Sequence, residues 1–293
     1  MRVVYPKVVA IETVRGCNSR CVMCPLCTSR LEHGLMARTL FDKILDELRY
    51  FADRIGEVKL WLNGEPCLDP YIVERVELCS SAGIKNISIA SNGSKLDKYM
   101  AREMMAAGLK KVIFSLNSVV EKTYRSITRT LDLRETLANI LDFIEVRNRF
   151  GYDTSIVIRF IEQELNKEEF SDFYDYWSKR LKPGMDFVHR FKVHRWARGG
   201  KIADSARPCN MVFEQINIAY DGRVPICCMD YDMNYVCGDV SKSSVLGVFN
   251  GDVLVSVRLL HSSGRRYFVK ICSSCGIPER WGEKDSSIYY EVK

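Results

Sequence analysis

Three cysteines fall within eight residues near the N-terminus, in Gly16-Cys17-Asn18-Ser19-Arg20-Cys21-Val22-Met23-Cys24-Pro25. The Cys-x3-Cys-x2-Cys spacing puts three thiolates on one short loop. Such a loop can hold three irons of a cubane cluster and leave the fourth open to a small molecule. A tetrahedral zinc site needs a fourth protein ligand, and Cys27 stands outside the pattern. Six further cysteines lie at the other end of the chain: Cys209, Cys227, Cys228, Cys237, Cys272 and Cys275. Cys209, Cys227 and the Cys272-x2-Cys275 pair supply four thiolates. That number suits a closed metal site, either zinc or a fully ligated iron–sulfur cluster.

Twelve cysteines in 293 residues are too dilute for a disulfide scaffold. They are many for a reducing compartment, where clustered thiols read as metal ligands. Met1 to Lys7 has neither the apolar core nor the cleavage site of a signal peptide. The apolar runs are shorter than a bilayer requires. These features predict a cytoplasmic protein with no membrane contact. The net charge of +6 is spread along the chain. Its densest basic piece, His189 to Arg198, reads as a strand with a solvated face rather than a nucleic-acid surface.

The elements that must position the first loop alternate in type. Val8 to Ile11, Glu57 to Leu62, Lys85 to Ala90, Lys111 to Ser115, Asp153 to Phe160 and Phe187 to Val193 read as strands. Helical spacing appears at Thr39–Phe51, Pro70–Ser81, Leu96–Ala107, Glu121–Ile127, Leu133–Phe150 and Asn166–Leu181. This alternation predicts a parallel α/β sheet, a partial (β/α)6 TIM barrel, with the cysteine loop at the C-terminal edge of its strands. After Gly199-Gly200 the pattern changes. Met211 to Ala219 and Arg223 to Cys227 read as a hairpin turning at Asp221-Gly222. Val245 to His261 is helical with a break near Asn250-Gly251. Two units are expected: a barrel over residues 1–200 and a small cysteine-rich domain over residues 201–293.

The cysteine loop, followed one strand later by Asn63-Gly64-Glu65-Pro66, resembles the radical S-adenosylmethionine (radical SAM) superfamily. The resemblance implies a 4Fe–4S cluster on Cys17, Cys21 and Cys24, with S-adenosylmethionine on the open iron. Reductive cleavage then yields a 5′-deoxyadenosyl radical that abstracts a substrate hydrogen. Asn63, Gly64, Glu65 and Pro66 match the family's Gly-Gly-Glu motif, with Asn63 in place of the first Gly. They are implied to hold the cofactor's amino group. Asn92, Ser115 and Asn117, at the next strand ends, are implied contacts to its ribose and carboxylate. Met23 stands where many members have an aromatic residue near the adenine. Arg159, within a strand, either meets a substrate carboxylate in the barrel or faces outward.

The C-terminal cysteines resemble the SPASM domain appended to such enzymes, and more closely its shortened twitch form. Trp281 stands where the next SPASM cysteine would be, and none follows Cys275. The resemblance therefore implies one auxiliary 4Fe–4S cluster on Cys209, Cys227, Cys272 and Cys275, with Cys237 as an alternative ligand. The four-cysteine layout is similar to that of an aminocyclitol dehydrogenase. This implies oxidation of an alcohol on a carbohydrate- or cyclitol-like small molecule, with a flavodoxin- or ferredoxin-type electron donor. Radical epimerisation is the sibling reaction, with Cys228 or Cys237 as hydrogen donor. Maturation of a peptide substrate is common in SPASM enzymes, but those often carry an N-terminal recognition domain. This chain begins its first strand within ten residues. Outside enzymes, a regulatory protein with zinc or redox sites fits the same cysteines.

Overall fold

The computed structural model describes residues 3–193, 207–273, 275 and 287–292. The expected domain boundary after residue 200, the basic residues His194 to Arg198, and Trp281 lie outside the described residues.

The strands are β1 (Val8–Ile11), β2 (Val14–Arg15), β3 (Gly34–Leu35), β4 (Glu57–Lys59), β5 (Ile87–Ser91), β6 (Lys111–Ser115), β7 (Ser155–Glu162) and β8 (Phe187–Lys192). They continue with β9 (Gln215–Ile218), β10 (Arg223–Pro225), β11 (Val236–Asp239) and β12 (Ser287–Glu291). The helices are α1 (Arg38–Arg49), α2 (Ile72–Ser81), α3 (Lys98–Ala106), α4 (Glu121–Thr128), α5 (Leu133–Phe150) and α6 (Phe170–Ser178). Four more follow: α7 (Met211–Glu214), α8 (Val245–Phe249), α9 (Asp252–Ser262) and α10 (Lys270–Ser273).

One sheet organises the molecule, in the order β12-β8-β7-β6-β5-β4-β1-β9. From β8 through β9 every neighbouring pair is parallel, and β12 alone is antiparallel. This is the partial-barrel α/β layout expected from the alternation. Alternate residues of each strand go beneath the helices and are fully buried: Val58, Leu60, Ile87, Ile89, Val112, Phe114, Ile156, Ile158 and Phe160. Phe160 makes edge contacts with Phe170 and Phe173 at centroid distances of 5.4 and 4.9 Å. The other face, turned away from the helices, carries Glu57, Lys59, Lys111, Arg159 and His189.

The C-terminal region does not form the expected hairpin. The Asp221-Gly222 turn is present, with Gly222 at φ +92°. Its first arm, however, begins as the short helix α7, and β9 then pairs with β1. The second arm, β10, pairs with β11 instead. The exposed edge of β1 offers free backbone groups, and β9 satisfies them. β12 closes the other edge on β8 in the same way.

The apolar stretch Val245–Ser262 is long and apolar enough, by length and composition, to cross a membrane, contrary to the sequence reading. In the fold it is broken into α8 and α9 around Asn250-Gly251. Val245, Phe249, Leu254 and Val257 are buried against the protein.

Arg147 and Asp186 form a buried ion pair at 2.6 Å between α5 and the turn before β8. Asp186 also accepts from the Ile156 and Lys182 amides at 2.9 and 2.8 Å. Removing one partner strands the other charge in the core. Asp186→Ala is expected to cost about 3–5 kcal/mol in urea unfolding, whereas exposed Asp153→Ala, which loses a surface pair with Lys110, costs about 1 kcal/mol or less.

Candidate active site

The cysteine loop is anchored at its base by β2 and β3, which pair antiparallel. Its tip docks on the end of α4: the Arg20 and Val22 amides donate to the Thr128 and Ile127 carbonyls at 3.0 and 2.9 Å. Inside the loop two of the sulfurs have hydrogen-bond partners. The Ser19 amide lies 3.3 Å from Cys17 Sγ, and Ser19 Oγ lies 3.0 Å from Cys21 Sγ. Asn92 Nδ2 points at Cys17 Sγ from 3.7 Å. Burial pushes the Cys17 thiol up to about 12 and the Cys24 thiol up to about 11. A bound metal reverses that preference by holding the thiolates directly.

Asn63-Gly64-Glu65-Pro66 follows β4 and meets the loop from the side. The Glu65 amide donates to the Gly16 carbonyl at 2.8 Å. A Cβ on Gly64 would run into the Val14 carbonyl, so this approach admits only glycine. The Glu65 carboxylate is 2% exposed and accepts three bonds: from the Cys67 amide at 3.1 Å, Ser91 Oγ at 2.7 Å and the Asn92 amide at 2.7 Å. Desolvation by burial still holds its pKa above the ordinary carboxylate value.

Asn92 knits the motifs together. Its side-chain amide donates to Asn18 Oδ1 at 2.9 Å, and its Oδ1 accepts from Ser94. Ser115 ends β6, level with Arg159. The Asn117 side chain is committed elsewhere: its Oδ1 accepts the Ile161 amide at 2.9 Å, and the residue takes φ 69°. Met23 Sδ lies 3.8 Å from Gln163 Nε2, beyond β7. Arg159 is on the inner face of the sheet, where its Nε donates to His189 Nδ1 at 3.3 Å. Ser91, beside Asn92 at the end of β5, also belongs to the site, as do Asn18 and Ser19, which the sequence reading did not single out; their signal was their place between the cysteines of the loop.

At the other end the fold gathers Cys209, Cys227, Cys272 and Cys275, which enter one another's electrostatic surroundings. Arg266, buried, donates to the carbonyls of Cys272 and Cys275 at 3.0 Å each. The Cys209 amide donates to His261 Nδ1 at 3.1 Å. Cys237 is separate, buried among Asp230 and Arg258. Cys228 lies near Lys59 and also near Cys209, Cys227 and Cys275. Among the described residues, no three His, Cys, Asp or Glu side chains converge on a single ion position. Three thiols on one short loop, and the thiols gathered at the other end, are donor sets that suit iron–sulfur clusters.

The Radical SAM superfamily matches over residues 11–176, and the chain belongs to it. An iron–sulfur cluster-binding SPASM domain matches over residues 209–276. These two domains imply a 4Fe–4S cluster, an additional cluster and S-adenosylmethionine.

Among curated relatives, the GTP 3′,8-cyclase of Thermodesulfovibrio yellowstonii is 29% identical over 188 residues. That match covers 62% of this chain and 56% of the relative, so the chain spans little more than half the relative's length. Among solved structures, BtrN in complex with AdoMet and 2-DOIA is similar over 94% of both chains, with TM-score 0.65 and 16% identity. Streptococcus suis SuiB bound to precursor peptide SuiA is similar over 99% of this chain and 75% of that one, with TM-score 0.65 and 16% identity. At such identities the structural likeness is one of fold.

His189 lies between Arg159 and Tyr289, stacked on the Tyr289 ring at 4.2 Å. Burial, and then the Arg159 charge, push its imidazole down to about 3. The unfolded chain therefore binds a proton at His189 that the folded chain refuses. Stability from this site is full above the ordinary histidine range and is lost as pH falls from about 6.5 towards 3. Between pH 7.5 and 5.5 the loss is about 1.4 kcal/mol. Anaerobic urea unfolding at the two pH values should show a smaller difference in His189→Gln by that amount.

Proposed function

We propose that this radical SAM enzyme oxidises a secondary alcohol of a carbohydrate- or cyclitol-like small molecule. The carrying observation is the gathering of Cys209, Cys227, Cys272 and Cys275, with the adjacent Cys228 near both them and Lys59. Four thiols saturate a cluster and favour a role as electron acceptor rather than substrate ligand. The likeness to BtrN over nearly the whole chain supports the same reading at the level of fold. When bound, the two clusters and S-adenosylmethionine would supply radical generation and an electron sink.

The chain's own residues then divide the work. Cys17, Cys21 and Cys24 hold the first cluster on a loop fixed by Gly16 and α4. The backbone of residues 63–66 offers carbonyl acceptors to an ammonium group, an approach that Gly64 permits. Asn92 and Ser115 line the strand ends beside it, and Met23 lies opposite. Asn117 shapes this edge through its backbone, because its side chain is spent on β7. A flavodoxin- or ferredoxin-type protein is the proposed electron donor.

A second reading comes from the curated relatives: radical ring formation on a nucleotide, as their name GTP 3′,8-cyclase states. Peptide modification is the reading suggested by the SuiB likeness. Epimerisation would use Cys228, whose surroundings include the inner-face Lys59, whereas those of Cys237 do not.

Anaerobic reconstitution decides the chemistry. The holoprotein should carry about eight irons and form 5′-deoxyadenosine with a strong reductant. Cys209→Ala should retain about four irons and still cleave S-adenosylmethionine without forming product, whereas Cys237→Ala should keep all of them. Zinc in place of iron, with no nucleoside released, would overturn the enzyme reading. Deuterated 2-DOIA-type polyols, GTP and a precursor peptide then compete as probes. Deuterium carried from a polyol into 5′-deoxyadenosine, with no solvent deuterium in the product, supports the dehydrogenase. Solvent deuterium in the product instead means epimerisation, and transfer from GTP alone means the cyclase reading.

A further inference from the structure

The inner face of the sheet carries more positive than negative charge. On strands β4 to β8 its charged residues are Glu57, Lys59, Lys111 and Arg159. Glu57 already answers two ammonium groups: Lys111 Nζ at 3.0 Å and Lys59 Nζ at 3.9 Å. Glu291, on the same face of β12, is exposed at the far end of the edge. Arg159 has His189, held neutral, and Tyr289, with which it is hydrogen-bonded, as its inner-face neighbours, and neither is a carboxylate. Lys59 and Arg159 also lie close enough to repel each other, and burial disfavours both charges. Two like charges in one desolvated chamber are costly unless a partner neutralises them.

The hydrogen-bond inventory of the same face points the same way. Lys59 Nζ lies 3.4 Å from Gln215 Oε1 and 5.8 Å from the Trp61 ring centre. Gln215 in turn donates to Asn217 Oδ1 at 2.6 Å. Among the described residues, two buried nitrogens beside this group have no acceptor: Trp61 Nε1 and Asn217 Nδ2. Asn217 is 1% exposed. Both orphans can only donate, and buried donors are rarely left unpaired without a ligand or water to meet them. Carboxylate and phosphate oxygens are acceptors only, so they suit a site made of cations and N–H donors.

We infer that the inner face is an oxyanion site, where Lys59, Arg159, Trp61 and Asn217 bind a carboxylate or phosphate group of the substrate. This rests on the reading of the barrel interior as the substrate chamber, and it narrows the substrate to an acidic or phosphorylated member of its class. Lys59 and Arg159 supply charge, and the Trp61 and Asn217 nitrogens set orientation. No bond is made or broken in this binding step.

The test is calorimetric titration of inorganic phosphate, and separately of acetate, into the reconstituted protein with S-adenosylmethionine at constant ionic strength. At least one anion should bind with a dissociation constant in the millimolar range. Lys59→Gln and Arg159→Gln should each weaken it about tenfold, Lys59→Arg by less than about threefold. Trp61→Phe, which keeps every charge, should weaken it measurably. Lys110→Gln, at an exposed pair with Asp153, should change nothing. Tight phosphate with weak acetate binding assigns a phosphate ester, and the reverse assigns a carboxylate. Absence of binding by both anions, or equal binding by wild type and the Lys59→Gln and Arg159→Gln variants, overturns the proposal. Circular dichroism and iron content check each variant's fold, and Lys59→Arg with Trp61→Phe decide if a charge-removing variant fails that check. The same samples are assayed for 5′-deoxyadenosine. Its absence with anion binding intact refutes the radical reading and leaves this one standing.

Discussion

A single buried carboxylate holds the reactive end of this molecule together. Glu65 takes donors from the Cys67 amide, from Ser91 at the end of β5 and from the Asn92 amide beyond it, while its own amide reaches back to Gly16. The carboxylate thereby ties the loops after β4 and β5 together, and the Glu65 amide ties both to the cysteine loop. A carboxylate with this little solvent is costly to bury, and only a full set of donors makes it tolerable. The arrangement therefore specifies geometry more than it adds stability. If one loop moves, the carboxylate loses a bond it cannot replace with water. The glycine at position 64 belongs to the same constraint, since it lets the chain pass against the Val14 carbonyl.

The second constraint is the sheet edge. A six-stranded partial barrel leaves two edges open, and each is a row of unpaired backbone groups. Here β9 covers β1 and β12 covers β8, so both edges are closed by the C-terminal region. A buried ion pair between Glu12 and Arg15 continues the junction, with Arg15 also bonded to the Tyr231 carbonyl and Glu12 to the Tyr220 amide. The segment that carries Cys209, Cys227 and Cys228 is thus tied directly to the strand that leads into Cys17. The placement of the two thiol groups relative to one chamber follows from backbone pairing in the sheet.

What could be read from the chain reflects where each signal is stored. The cysteine loop was legible because its ligands sit on one loop, so spacing alone encodes their geometry. The parallel sheet was legible from alternation, because the helix-covered positions such as Val58, Leu60, Ile87 and Ile89 are uniformly apolar. The pairing of β9 with β1 was not legible. The Asp221-Gly222 turn does form, but a turn fixes chain reversal and leaves open which strand each arm will join. The difference between Cys228 and Cys237 was equally hidden, because it depends on which side of a short segment faces Lys59. The polar residues of the inner face were hidden for a further reason. Glu57, Lys59 and Lys111 alternate with apolar residues just as a solvated strand face would, and only the folded sheet shows that they share its inner face with Arg159 and His189.

This division has a chemical logic. The groups that serve the shared chemistry lie at the C-terminal ends of the strands, on loops locked by Glu65 and Asn92. The groups able to distinguish substrates lie lower, on the strands themselves, where Lys59, Trp61, Arg159 and Asn217 project from β4, β7 and β9 and their margins. A strand position can change its side chain without disturbing the helix-covered face, because successive residues point to opposite sides. Two members of the family can therefore keep the loop machinery intact and accept different substrates. Sequence identity measured along the barrel, 29% to a GTP 3′,8-cyclase, weighs apolar and loop positions more heavily than the few inner-face residues. The substrate is better judged from those residues than from the overall identity. They are cations and N–H donors, and a neutral polyol would leave their charge unanswered.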